Sequence, residues 1–239
     1  MITEKKFSDI ILYLFYFLPI SILIGPSAAL LNILSLSIFI FFLILNKNFN
    51  YIFGNKVIWC LALIYIYLIF NTFISLNIYL SFSRNFGFLR FILLFIFINY
   101  FFFKKNNNDI FKFWTLILFI VIIDIFFEFF FGSNILGYTS DDKKRIVSFF
   151  KDETIVGSFL NGFIFIIIGY LFSSFEKMST QNKFMIYLFL VISFVSMILT
   201  GERSNTIKFF IGLIIFFYLN DKIKLKNKLY FFLSIIIFF

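Results

Sequence analysis

The chain alternates between long apolar runs and short polar segments. Nine apolar runs are visible, at 10–24, 28–45, 57–72, 86–103, 113–131, 155–172, 184–199, 206–219 and 229–239. With their flanks, most approach the roughly 20 residues that an α-helix needs to cross about 30 Å of hydrocarbon. Transmembrane β-strands would be shorter and would alternate strictly between apolar and polar positions. The pattern therefore predicts an all-α, polytopic transmembrane helix bundle.

The first and last runs carry particular expectations. The first could pass for a signal peptide, but the second run follows directly after Gly25-Pro26. We therefore predict a retained hairpin of two helices that turns at Gly-Pro. The ninth run has only 11 residues, about half a spanning helix. The sequence thus predicts about eight complete helices, a truncated ninth, and a single membrane domain over 1–239 that is incomplete at its C-terminus.

Composition supports the membrane assignment and excludes several kinds of site. The chain is 62% hydrophobic and only 14% charged, against about 25% charged residues in a typical soluble domain. Cys60 is the single cysteine and there is no histidine, which excludes a disulfide framework and a histidine general base within these residues. We expect no metal and no cofactor. The net charge of +9 is read as a membrane-orientation signal rather than a nucleic-acid surface.

Basic residues divide unevenly between alternate loops. With a cytoplasmic N-terminus, thirteen lysines fall on the inner side, whereas the outer side holds four lysines and all four arginines, Arg84, Arg90, Arg145 and Arg203. The lysine excess favours that orientation. Guanidinium groups donate a planar fork of hydrogen bonds that suits phosphate and pyrophosphate. The outer face is therefore predicted to hold an anionic headgroup, and the lipid bilayer is the expected surrounding.

The arginines differ in their surroundings. Arg84 is predicted to lie in a loop, with Arg90 about one turn into the membrane, where an unpaired arginine costs roughly 2.5 kcal/mol or more. Arg90 is either a ligand of the headgroup or a snorkelling interface residue. Arg145 lies in a charged stretch that could equally be a solvated loop. Arg203 is the strongest candidate, because it opens a helix after Gly201 and so opposes the helix dipole.

Four acidic residues are candidate supporting groups. Asp124 and Glu128 are one turn apart in the fifth run, where carboxylates are costly. They could pair with Arg90, hold a proton or face a polar cavity, and a structural ion pair is favoured. Asp152 and Glu153 precede the sixth helix, and one of the two is predicted to cap it. Glu202 adjoins Arg203.

These outer segments together resemble the O-antigen polymerase/ligase family of bacterial membrane glycosyltransferases. The similar stretches run from Asp124 through Glu128 to Gly137, from Arg145 through Ser148-Phe-Phe and Asp152-Glu153 to Gly157-Ser, and over Thr200-Gly-Glu-Arg203-Ser. Their order and spacing agree with the family across roughly residues 80–220.

The resemblance implies a multi-pass enzyme of the bacterial inner membrane with a cytoplasmic N-terminus. Its donor would be an undecaprenyl-pyrophosphate-linked saccharide on the periplasmic face. By matched position Arg145 and Arg203 would hold the pyrophosphate without a metal, with Arg90 as a possible third ligand. The family's further outer loop, which carries a histidine in the ligases, has no counterpart in these residues, so they are expected to form part of a donor site that is inactive alone. A transporter or flippase for lipid-linked glycans and an inactive fragment are the alternatives.

Overall fold

The computed structural model describes residues 10–46, 54–104, 108–140, 145–151 and 153–220. Within these ranges the chain is helical and has no β-strand, and residues 10–16 form a helical segment ahead of the first complete helix. The complete helices are α1 (Leu18–Ile24), α2 (Pro26–Asn46), α3 (Lys56–Ile74), α4 (Ile78–Gly87), α5 (Leu89–Lys104), α6 (Asn108–Phe131), α7 (Val156–Ser173), α8 (Thr180–Leu199) and α9 (Arg203–Leu219). Short 3-10 helices cover Ser148–Phe150 and Phe175–Lys177.

This architecture confirms the predicted all-α bundle. Five segments are long and apolar enough to cross a membrane, namely Lys56–Ile74, Ile78–Ile96, Asp109–Phe131, Val156–Ser173 and Thr180–Leu199. The chain is therefore a multi-pass membrane protein. The predicted ninth run lies outside the described residues, and the orientation of the N-terminus stays a prediction.

The chain divides into two compact units, Met1–Ile110 and Phe111–Phe239. The first unit begins with the predicted hairpin. Gly25 separates α1 from α2 at φ 142° and ψ 173°, a conformation that is essentially restricted to glycine. The Asn32 amide of α2 donates to the Leu14 carbonyl and to the Ser21 hydroxyl, both at 3.1 Å. These bonds join the two sides of the turn and confirm the hairpin.

A second hairpin in this unit changes the predicted position of one arginine. The Asn77 side chain accepts from the Leu80 amide and caps α4, so this helix begins eight residues before the predicted run. The Asn85 side chain then donates to the Leu68 carbonyl of α3 at 2.9 Å. Arg84 consequently lies in the last turn of α4 rather than in a loop.

In the second unit, aromatic side chains join α7 to its neighbours. The buried Trp114 of α6 packs edge-on against Phe163 of α7, with ring centroids 5.1 Å apart. Phe165 of α7 and Phe194 of α8 both contact Phe209 of α9. Aromatic rings bury a large apolar area and favour such tilted arrangements. The core therefore fixes α7 among α6, α8 and α9, and the polar ends of these helices carry the candidate site.

Candidate functional site

The two carboxylates of α6 hold the loop that follows this helix. Asp124 and Glu128 are both buried. One oxygen of Asp124 accepts the Ile135 amide at 2.9 Å and the other accepts the Ser148 hydroxyl at 2.6 Å. The two oxygens of Glu128 accept the Val147 and Ser148 amides at 3.0 and 2.6 Å. Each of the four carboxylate oxygens thus accepts a hydrogen bond.

Asn134 completes this arrangement, which we term the loop anchor (Asp124, Glu128, Asn134 and Ser148). The Asn134 amide donates to the Ser148 carbonyl, and its oxygen accepts the Tyr138 amide at 2.6 Å. Ser148 has a φ of 49°, an uncommon conformation for a residue other than glycine. Three contacts through its amide, hydroxyl and carbonyl groups hold it there.

The loop anchor corrects the expectation that Asp124 and Glu128 form an ion pair. Within the described ranges the hydrogen-bond donors to these carboxylates are amides and a hydroxyl rather than a guanidinium. Buried charge requires hydrogen-bond partners, and backbone N–H groups meet that requirement as well as a guanidinium does. The two residues therefore hold the backbone that follows Arg145.

A second polar cluster joins the start of α7 to the turn before α9. Glu202 accepts the Gly157 amide at 2.7 Å and also accepts the Asn205 side-chain amide. Asn205 in turn donates to the Ser158 hydroxyl at 2.9 Å. The Asn161 amide donates to the Asn205 carbonyl at 3.0 Å. We term these residues, Gly157, Ser158, Asn161, Glu202 and Asn205, the α7–α9 seam.

The seam provides an acceptor at the start of α7 that the sequence did not predict. No side chain caps this helix at its N-cap residue, Ile155, and the side chain of Glu153 is exposed. The carboxylate that accepts an N–H group of the first turn belongs to Glu202, 45 residues along the chain. Asp152 lies outside the described residues. A carboxylate at a helix N-terminus is favoured by the dipole; the described carboxylate in that position belongs to Glu202 rather than Glu153, and a cap by Asp152 stays a prediction.

The segments that carry Arg145 and Arg203 meet at the backbone. The amide of Ile146 donates to the Thr200 carbonyl at 3.3 Å, which links the residue after Arg145 to the turn before Arg203. The guanidinium of Arg145 lies 3.5 Å from the Thr154 hydroxyl, in the segment that leads into α7. The structure therefore brings these two sequence-predicted residues into one neighbourhood.

The position of Arg203 agrees with the sequence prediction. Gly201 follows the end of α8 with a φ of 72°, the left-handed conformation that commonly ends a helix. Arg203 is then the first residue of α9. Its side chain is exposed, and it makes no side-chain hydrogen bond to the described residues. A guanidinium at this end of a helix opposes the dipole and gains from an anionic partner.

The carboxylates of Glu202, Asp124 and Glu128 form hydrogen bonds to groups other than Arg203. Both oxygens of Glu202 accept hydrogen bonds within the α7–α9 seam. The oxygens of Asp124 and Glu128 accept hydrogen bonds in the loop anchor. The Arg203 side chain is exposed, and these three carboxylates accept hydrogen bonds from other groups.

Arg90 lies in the first unit, on α5 and within the apolar segment Ile78–Ile96. Its guanidinium carbon is 5.0 Å from the centroid of the Phe91 ring, a cation–π distance. Its buried Nε atom has no hydrogen-bond partner among the described residues. The structure does not assign Arg90 to the neighbourhood of Arg145 and Arg203, and its role as a third ligand stays a prediction.

The sequence did not predict the hydrogen-bonding roles of the framework residues, which are Asn134, Ser148, Gly157, Ser158, Asn161 and Asn205. Each is a small or amide residue. The segment Gly157-Ser158 could be recognised as a helix start. Its partner Glu202 lies 45 residues from Gly157, so no local sequence pattern indicates this contact.

Comparison of the chain with protein-family models, with curated proteins and with solved structures gives no match.

Proposed function

We propose that this protein is a glycosyltransferase of the bacterial inner membrane, acting in surface polysaccharide assembly in the manner of O-antigen ligases and polymerases. Its donor is a saccharide linked to undecaprenyl pyrophosphate, bound on the periplasmic face. Arg203 and Arg145 hold the pyrophosphate. The transfer requires no metal, because the two guanidinium groups supply the positive charge.

One observation carries the proposal. The Ile146–Thr200 backbone hydrogen bond joins the two arginine-bearing segments. Around this connection, the carboxylates of Glu128, Asp124 and Glu202 accept hydrogen bonds from N–H and hydroxyl groups. A site with two guanidinium groups, beside carboxylates that already accept hydrogen bonds from other groups, favours a ligand with more than one phosphate. Each guanidinium can then bond separate phosphate oxygens.

The chemistry of transfer matches such a site. The bond between the anomeric carbon and the pyrophosphate oxygen breaks, and the acceptor hydroxyl oxygen forms the new bond to that carbon. The acceptor proton passes to a general base, and undecaprenyl pyrophosphate leaves with the electron pair of the broken bond. Negative charge develops on the leaving oxygen, and fixed guanidinium groups stabilise it more than they stabilise the ground state.

A donor with a polyprenyl tail also fits the surroundings. The second unit contains three of the segments that can span a membrane, Asp109–Phe131, Val156–Ser173 and Thr180–Leu199. Many large apolar side chains on them are exposed, including Phe130, Phe131 and Phe184. Such surfaces suit contact with acyl or prenyl chains. A tail in the bilayer would place its pyrophosphate at the polar ends of the same helices.

Transfer can be tested directly with the full-length protein in nanodiscs. We supply an undecaprenyl-pyrophosphate-linked oligosaccharide and a glycan acceptor, either lipid A core or a second donor unit, and follow both lipids by mass spectrometry. The proposal predicts a lengthened acceptor and an equal amount of released undecaprenyl pyrophosphate. The Arg145→Ala/Arg203→Ala double variant should form neither.

The matched control removes a cation elsewhere on α9. Lys208 is exposed on the same helix as Arg203 and is not among the proposed ligands, so Lys208→Ala should keep the wild-type rate. Movement of intact donor between leaflets, with no cleavage in the wild-type protein, would contradict the enzyme and favour the transporter.

A further inference from the structure

We infer that Glu202 is a positioning residue for the donor site, and that its bond to the Gly157 amide sets the place from which Arg203 meets the pyrophosphate. This inference rests on the proposed function, because it concerns the same anion. It assigns a role to the α7–α9 seam, whose one charged residue is Glu202.

The turn before Arg203 is held by hydrogen bonds of Glu202. Glu202 immediately precedes Arg203, and its carboxylate bonds Gly157 of α7 and Asn205 of α9. The Glu202 carbonyl also accepts the Asn205 and Thr206 amides at 3.0 Å. The residue before the arginine is thus held through both its side chain and its backbone. The position of the Arg203 Cα follows from these bonds.

Little space separates Gly157 from the Glu202 and Asn205 side chains. A Cβ atom at Gly157 would lie 3.0 Å from the Glu202 carboxylate and 3.2 Å from the Asn205 Cβ. Contacts this short require the neighbour to move. Glycine therefore permits the close approach of the turn to α7, and a methyl group at this position would displace Glu202 without changing its charge.

The negative charge of Glu202 lies at the N-terminus of α7. The free N–H groups at the start of α7 would themselves attract an anion. Glu202 occupies one of them, and so removes a competing position for the phosphate. The same bond places a negative charge where the helix dipole favours it. Glu202 thereby directs the ligand to the arginines instead of to the helix end.

Four variants separate these effects. Glu202→Gln sets a side-chain NH₂ group against that of Asn205, and Gly157→Ala displaces the carboxylate. The double variant Glu202→Gln/Asn205→Asp exchanges donor and acceptor and restores the pattern, because the Ser158 hydroxyl can donate as well as accept. Arg203→Lys serves as the direct ligand variant. Each is prepared as the full chain in nanodiscs.

Two readouts are measured, the Kd for undecaprenyl pyrophosphate and the Gly157 amide resonance. The chain has ten glycines, so selective nitrogen-15 glycine labelling gives a simple spectrum. We expect Glu202→Gln and Gly157→Ala each to raise Kd by about tenfold, the size of one charge-assisted hydrogen bond. Glu202→Gln should shift the Gly157 resonance. The double variant should return Kd to within about twofold of wild type.

Two glycine variants serve as matched controls for Gly157→Ala. A Cβ at Gly162, on the same helix, would have nothing within 4 Å, whereas a Cβ at Gly212 of α9 would meet the Phe165 ring at 2.3 Å. Gly162→Ala tests the substitution alone, and Gly212→Ala tests disturbed α7–α9 packing away from the seam. Both should leave Kd unchanged, even where Gly212→Ala reduces the amount of folded protein.

The outcomes distinguish the two proposals. A wild-type Kd in Glu202→Gln and Gly157→Ala, with a raised Kd in Arg203→Lys, would overturn the positioning role and leave the donor site standing. A rise in Gly212→Ala equal to that in Gly157→Ala would also overturn the positioning role. A wild-type Kd in Arg203→Lys would instead contradict the proposed function itself.

Discussion

Replacing Arg203 by lysine will weaken the binding of undecaprenyl pyrophosphate by about 10- to 100-fold, although the charge is kept. A guanidinium donates two parallel hydrogen bonds to phosphate oxygens, whereas an ammonium group is a compact point charge. Arg203 is exposed at the first position of α9, so lysine changes the donor geometry without burying or exposing new surface. The measurement is equilibrium binding to the protein in nanodiscs.

Arg84 provides the matched control for this prediction. It is also exposed, and it lies in the last turn of α4 in the other unit. Arg84→Lys should therefore bind the lipid with the wild-type Kd. Equal losses in the two variants would mean that the effect is general to surface arginines, and Arg203 would then have no special part in the site.

Replacing Glu128 by alanine will destabilise the second unit by about 2–6 kcal/mol. The Val147 and Ser148 amides are buried with their residues and bond to the Glu128 carboxylate within the loop anchor. Removing it leaves two buried N–H groups without that acceptor, and each costs about 1–3 kcal/mol. Glu128→Gln keeps one acceptor oxygen, so the stability of this variant should lie between those of wild type and Glu128→Ala.

Tryptophan fluorescence can follow this loss during unfolding in SDS-containing mixed micelles. Trp114 is buried in the second unit beside Phe163, and the exposed Trp59 can be replaced by phenylalanine to isolate its signal. Glu153→Ala is the control, because this carboxylate is exposed and should leave the midpoint unchanged. A wild-type midpoint in Glu128→Ala would show that the loop does not depend on the anchor.

The helices could be predicted from the sequence because hydrophobic length is a local property. The hairpin at Gly25, the end of α8 at Gly201 and the start of α9 at Arg203 all follow from residues within one turn of the boundary. The start of α4 was missed because Asn77 extends the helix into a stretch that looked like a loop. A prediction based on the hydrophobicity of about twenty residues is hardly changed by a single capping side chain.

The candidate site was predictable only in part. Arg145 and Arg203 were identified by residue type, and Arg203 also because it opposes a helix dipole. The roles of the carboxylates could not be read from the sequence, since a buried acid can be balanced equally by a guanidinium or by amide groups. Glu202 reaches Gly157 across 45 residues, and no local spacing records such a contact. In the folded protein Glu202 bonds the first turn of α7, a contact that the sequence did not predict.

The central claim is that Arg145 and Arg203 hold one pyrophosphate together. The most direct test is the ratio of Kd values for undecaprenyl phosphate and undecaprenyl pyrophosphate in wild type, Arg145→Ala, Arg203→Ala and the double variant. A shared site predicts at least a tenfold preference of wild type for pyrophosphate, because the second phosphate gains a charge-assisted fork. Either single variant should abolish that preference, and the double variant should lower it no further. A preference that survives in either single variant would contradict the shared site.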